Sequence, residues 1–288
     1  MWFRILFAVA ILFLVGAVAT GTLLWERAAR KVRTRLEAGL ADTRASRVDL
    51  EDRGPLPEPV RKYFRTVLED GRRKVAGARI THRGWFNMSE TGEKWVPFSS
   101  RQTVIAARPG FAWEARVRLA PGISILVRDA YVGGEGILKA SLFGLFTVAE
   151  CPSTPELAQG ELIRFLAESA WVPTILLPGP SLRWEAVDGS RAKVTLIDGE
   201  TAVSLDFHFS PDGLIEKIRA GSRPRTVGGH TENMPWEARF WAWERHGGML
   251  IPTEGEVAWI LPGGPHPYWR ARTERIEYES GDGTGVRS

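Results

Sequence analysis

From Ile5 to Trp25 the chain runs ILFAVAILFLVGAVATGTLLW, 21 residues without a charge. At a helical rise of ~1.5 Å per residue such a run covers about 30 Å, the hydrocarbon thickness of a bilayer. Arg4 stops it on one side; Glu26, Arg27, Arg30, Lys31, Arg33 and Arg35 stop it on the other. Trp2 and Trp25 bracket it where interfacial aromatics sit. The expected organisation follows: residues 1–25 a transmembrane anchor, 26–56 a basic helical neck, 57–280 one curved-sheet domain, 281–288 a disordered tail. A cleaved signal peptide is the competing reading, with Ala17-Val18-Ala19 as a small-x-small site. Against it, the apolar run continues past that cut through Leu23, Leu24 and Trp25. The expected location is the cell membrane, single-pass. The basic residues after the span favour a cytoplasmic domain, yet large domains translocate despite flanking charge, so the face stays open.

Charge separates the two parts of the chain. The formal net charge is +4, and residues 1–53 alone contribute +3 of it. The neck is therefore suited either to anionic head groups or to plain solvation. A near-neutral remainder without a basic cluster argues against nucleic acid as a partner. The lone Cys151 excludes an internal disulfide framework and has neither a His nor a second Cys beside it. Twelve tryptophans are the compositional anomaly, since such rings either build a core or line a pocket.

Beyond Gly54-Pro55-Leu56-Pro57 a short amphipathic helix is expected over 57–70, with Val60, Tyr63, Phe64 and Val67 on one stripe. The period then changes to two. Phe111, Trp113, Ala115 and Val117 alternate with polar residues, as do Val203, Leu205, Phe207 and Phe209. Similar segments at 78–88, 94–107, 123–132, 182–187, 191–198, 214–220, 236–244, 254–261 and 268–279 are separated by turns such as Pro121-Gly122, Asp198-Gly199 and Asp212-Gly213. The fold class expected is mainly β with α: about eleven antiparallel strands in a curved half-barrel. One helix, 155–171, interrupts it, with Thr154 as N-cap, Pro155 in its first turn and Pro173 ending it. Such a helix should cover the concave face as a plug or lid.

Chemistry-bearing motifs are sparse. Arg164 and Glu168 stand four apart and can pair on one helix face. Arg128 and Asp129 are adjacent on a strand, so one faces inward and needs a partner, for which Arg164 or Glu168 is the candidate. The glycines of Gly133-Gly134-x-Gly136 fit a turn or bulge better than a phosphate cradle. The five histidines are scattered, and neither a P-loop nor a nucleophile elbow occurs. No metal, cofactor or catalytic residue is expected.

The order Trp113, Arg128-Asp129-Ala130-Tyr131, Gly134-x-Gly136, Arg164-x-Leu166-x-Glu168-x-x-Trp171-x-Pro173, Trp184, Phe207, Gly213, Pro252, Trp259 resembles an uncharacterised bacterial family, a domain of unknown function. Many of its members carry a short N-terminal membrane segment. The resemblance covers roughly residues 57–279 and implies no activity. It departs at Arg223-Pro224, where the family pattern leads one to expect Arg-Tyr. The expected architecture also looks like the lipoprotein-carrier fold, a curved sheet wrapped round helices.

These readings point to a membrane-anchored protein that shelters a lipid or acyl chain without turnover, with membrane lipids as partners. Phe111, Trp113, Phe207 and Phe209 would floor the cavity; Trp171 would line it; Arg128, Arg164 and Glu168 would supply polar contacts at the rim. Two alternatives remain. One is an envelope scaffold with a self-filled core, docking a protein partner through Trp241 and Trp243. The other is a hydrolase of envelope lipids, which needs an acid–base pair converging in the cavity.

Overall fold

The computed structural model describes residues 2–39, 47–49, 56–227, 230–280 and 285–286. The apolar run continues without a break into the basic segment, giving one helix, α1 (Trp2–Glu37). Residues 2–16 of it are all exposed, and the helix is long and apolar enough to cross a membrane. Its second half is docked on the sheet, and there the neck expected at 26–56 is structured. The rest of that stretch lies largely outside the described residues. Helix α2 (Glu58–Val67) follows, opening on Pro57 and Glu58 and burying Val60, Tyr63, Phe64 and Val67.

The sheet is built from two meanders. Strands β1 (Val75–Asn87), β2 (Trp95–Ile105), β3 (Gly110–Ala120), β4 (Ile123–Val132), β5 (Glu135–Leu142) and β6 (Phe146–Cys151) step from the centre to one edge. Helix α3 (Pro155–Glu168) then crosses the hollow to the opposite edge. From there β7 (Leu182–Ala186), β8 (Arg191–Asp198), β9 (Thr201–Phe209), β10 (Ile215–Val227), β11 (His230–His246), β12 (Met249–Leu261) and β13 (Gly264–Ser280) return to pair with β1. A two-residue strand, β14 (Gly285–Val286), pairs with β13, inside the stretch expected to be a disordered tail.

The half-barrel class is as the sequence indicates, but among the described residues the sheet has 14 strands where about eleven are expected. The unexpected ones are β5, β6 and β14. The first two form an edge hairpin whose residues show no alternation of burial, β6 being exposed almost throughout. Without one buried face, a strand leaves no period-two trace in its sequence.

Thr154 caps α3 by accepting from the Leu157 amide at 3.3 Å, and Pro155 occupies its first turn. The helix ends at Glu168, followed by short 3-10 turns at Ser169–Trp171 and Pro173–Leu176. Leu162, Phe165, Leu166 and Ala167 are all buried, so α3 is a core plug and not a lid. The two arms of the sheet meet beyond it, where the Tyr131 hydroxyl on β4 donates to Asp198 on β8 at 2.8 Å.

On the outer face, α1 lies along β2, β3 and β4. Gly21 and Gly144 pass so closely that a Cβ on either would meet the backbone of the other hairpin or helix. Trp25, Ala29 and Leu36 are buried there, Leu36 in a satellite cluster with Ile105, Ala112, Ala130 and Val132. Salt bridges from Arg33 to Glu114 and from Arg35 to Glu135 fix the register.

Candidate functional site

The concave face of the sheet is not uniformly filled. Under β7–β9 the space is packed solid: Trp184 meets Phe207 at 5.0 Å and Tyr63 of α2 meets Phe209 at 5.8 Å. Under the remaining strands, beside α3, a cavity of about 510 Å³ stays open. Its walls are Trp113, Val127 and Leu138 on one arm, Phe240, Val257 and Trp269 on the other, and Leu157 and Trp171 from the α3 region. Ligand pockets run to roughly 300–1,000 Å³ and are mostly apolar with a few placed polar groups, which describes this space.

The polar groups come from one stripe of α3. Leu157, Glu161, Arg164 and Glu168 follow each other at helical spacing and all face the cavity. Arg164 is the hub. It pairs with Asp129 of β4 and donates from Nε to Glu168 at 2.7 Å, while Gln102 of β2 donates to the other Glu168 oxygen at 2.6 Å. Its guanidinium lies over the rings of Phe111 (4.8 Å) and Trp113 (5.0 Å). Two carboxylates around one buried guanidinium hold it firmly charged, with the Arg164 pKa raised by Glu168 and Asp129 against the cost of burial.

Glu161 behaves differently. Burial pushes its carboxyl well above the ordinary 4.5, and the neighbouring Asp129 raises it further. Glu161 Oε2 and Asp129 Oδ1 are both buried without a partner as acceptors. A proton on Glu161 resolves this, because a neutral carboxyl can donate to the adjacent carboxylate.

A second cluster stands opposite, on β10–β13. Arg223 donates to the Gly160 carbonyl (3.2 Å) and to the Tyr268 hydroxyl (3.3 Å), and lies 3.8 Å from Glu161. Its guanidinium sits over Trp236 (5.1 Å) and Trp259 (5.3 Å). The Trp236 indole donates to the same Tyr268 hydroxyl at 2.9 Å, and Trp259 stacks on the Tyr268 ring. At the departure from the family pattern, Pro224 lines the cavity and the phenol beside Arg223 comes from β13.

Of the residues singled out from sequence, Trp113, Arg164, Glu168 and Trp171 come together on the cavity wall. Phe111 is buried beneath Arg164 and does not reach the space. Phe207 and Phe209 floor the filled half instead, because α2 and Trp184 occupy the concavity above them. Arg128 does not reach the rim either. It points to the outer face, its guanidinium 4.5 Å over the Trp25 ring of α1, with burial lowering its pKa. Its neighbour Asp129 is the inward charge. Trp243 packs against the core, whereas Trp241 is 41% exposed and donates to Glu254 at 2.7 Å.

Glu161, Arg223, Trp236, Trp259 and Tyr268 are site residues that sequence reading passed over. Glu161 was within reach, since it lies one turn before Arg164 on the same stripe. The others sit one each on the four strands β10, β11, β12 and β13 and carry no local signature.

Other reactive groups are poorly placed for chemistry. Cys151 lines the cavity with its thiol pushed up by burial, away from the reactive thiolate. Ser100 and His82 approach to 3.5 Å, but both are buried and His82 is wedged between Trp171 and Trp269. Its pKa falls to about 3 through burial, with the Arg164 charge adding to it. No group of three or more potential metal ligands occurs among the described residues.

The chain matches no curated protein at the sequence level. Among solved structures it is similar to a LolA superfamily protein from Nitrosomonas europaea, with 9% identity, a TM-score of 0.40, and 80% of this chain and 92% of that one covered. A β-barrel-like protein of the domain of unknown function DUF1849 from Brucella abortus matches with 11% identity, a TM-score of 0.26, and 72% and 99% covered. Residues 54–278 match a family of unknown function, DUF6920, and the chain belongs to that family.

Proposed function

We propose that this is a membrane-anchored binding protein that shelters an apolar ligand, a lipid or acyl chain, without turning it over. The observation that carries the reading is the cavity of about 510 Å³ left beside α3 in an otherwise filled half-barrel. A space of this size beside apolar rings costs packing that a merely structural core would keep, so its retention favours a guest. Desolvation of a chain entering it drives binding, at ~0.8 kcal/mol per buried methylene. The Arg164 and Arg223 clusters, with Glu161 between them holding its proton above the ordinary carboxyl range, suit a polar end group attached to that chain.

The anchor reading is supported by α1, a helix long and apolar enough to cross a membrane whose apolar half is exposed. A self-filled scaffold core is the weaker alternative because the space is not filled. A hydrolase would need Asp129 or Glu168 free to move protons, and Arg164 holds both.

The test is native mass spectrometry of the full chain, purified from its own membranes in mild detergent. A protein mass accompanied by a lipid adduct that survives detergent removal is expected. A clean ligand-free mass would count against carriage.

A further inference from the structure

In an up-and-down sheet alternate hairpins lie at the same end. Here the neighbouring turns β1–β2, β3–β4, β5–β6 and β12–β13 share one end, and α1 emerges there: Gly21 touches Phe143, Gly144 and Leu145 in the β5–β6 turn, while Leu36 reaches Gly110 at the opposite end. The apolar half of α1 therefore projects past these hairpin tips. Outside α1, exposed large apolar side chains concentrate on the same tips: Met88 on the first, Leu119 and Ile123 on the second, Leu145, Phe146 and Val148 on the third. Phe146 is 64% exposed. Hairpin tips normally carry polar residues, and apolar ones clustered at one end mark a surface that leaves water.

The outer wall just behind the tips is basic. Arg83, Trp85, Arg116, Arg118, Arg270 and Arg272 line a groove there beside one acid, Glu254, which accepts from the Trp241 indole; Arg83 pairs with Glu274 and Arg270 with Glu256. Arg116, Arg118 and Arg272 have no acidic partner among the described residues. At ~3.3 Å per strand residue, Arg116 stands about 10 Å behind Leu119. That is the offset between acyl chains and phosphates at a bilayer interface, where Arg and Trp both favour residence. The cavity reaches the same end, through Met88 and Ser89 of the β1–β2 hairpin and His266 at the start of β13, which meets the Ser89 carbonyl at 3.0 Å.

We infer that this end of the half-barrel is a membrane-docking face: the β3–β4 and β5–β6 tips enter an anionic lipid surface, the arginine groove takes its phosphates, and the cavity opens toward it. The inference rests on the anchored reading of α1 but not on what the cavity holds.

The test uses the full chain with Cys151→Ser, carrying single cysteines labelled with an environment-sensitive fluorophore, in nanodiscs of phosphatidylcholine with and without phosphatidylglycerol. Labels at Ile123→Cys and Phe146→Cys should shift to the blue and be quenched by doxyl-labelled lipid. A label at Val187→Cys, at the opposite end, should stay unquenched, and Arg116→Glu with Arg118→Glu should reverse the shift at position 123. A label at Val9→Cys reports on the anchor. If it is quenched while both tips behave like position 187, the docking face is wrong and the anchor stands. If Val9→Cys is unquenched as well, both readings fall. Quenched tips on a protein that carries no lipid would uphold docking and reject carriage.

Discussion

Arg128 and Asp129 are consecutive on β4 and serve opposite sides of the sheet: Arg128 stacks on Trp25 of the long N-terminal helix, and Asp129 binds Arg164 in the hollow. One dipeptide thus joins the outside strut to the inside plug. The adjacent opposite charges are accounted for by the pleat alone, with each finding its partner on its own face.

Removing Glu168 should cost more than removing an exposed arginine. Glu168→Ala leaves Gln102 without its acceptor and Arg164 with one carboxylate in a buried setting, a loss of about 2–3 kcal/mol. Arg116→Ala changes an exposed side chain and should stay within about 0.5 kcal/mol. Denaturant midpoints of the full chain in detergent compare them, and equal midpoints would contradict a buried role for Glu168.

Two buried groups give stability opposite pH slopes. Glu161 keeps its proton in the fold, so its contribution is complete below the ordinary 4.5 and is lost as pH rises above it. His82 is held neutral, with its pKa down at about 3 against an ordinary 6.5, so its contribution is present above 6.5 and declines as pH falls from 6.5 toward 3. Glu161→Gln should flatten the alkaline-side slope and leave the acidic one intact, as read from melting temperature against pH.

Trp25→Ala should free α1 from the sheet without unfolding the barrel. The lost ring burial is worth about 3 kcal/mol, and it uncovers Arg128. Hydrogen exchange should speed up over residues 21–37 while β7–β9 keep their protection. Uniform acceleration across the domain would mean that the helix is part of the global fold.

If an acyl chain occupies the cavity, affinity should climb about fourfold per added methylene until the space is full, then level off. Titration with fatty acids of increasing length checks this. Val257→Trp, which fills the cavity from β12, should abolish the trend while leaving the melting temperature nearly unchanged.

The elements legible in sequence are those with one wet and one dry face. Strand β3 shows its alternation from Phe111 to Val117, and α3 announces itself by Thr154, Pro155 and its apolar stripe. The β5–β6 hairpin was silent because it lies at an edge with neither face consistently buried. The site was half legible: the Arg164–Glu168 spacing is local, whereas Arg223, Trp236, Trp259 and Tyr268 converge only through the pairing of four strands. Phe207 and Phe209 misled for a related reason. Alternation shows which side of a strand is dry, but not whether a helix or a void lies against it.

The absence of a hinge in α1 between its apolar half and the part clamped to β2–β4 has a mechanical meaning. If α1 is the anchor proposed above, a tether with no slack makes the receptacle a fixed station and not a shuttle. On that reading, a guest would arrive by sliding within the leaflet, or by another protein leaning in to the rim.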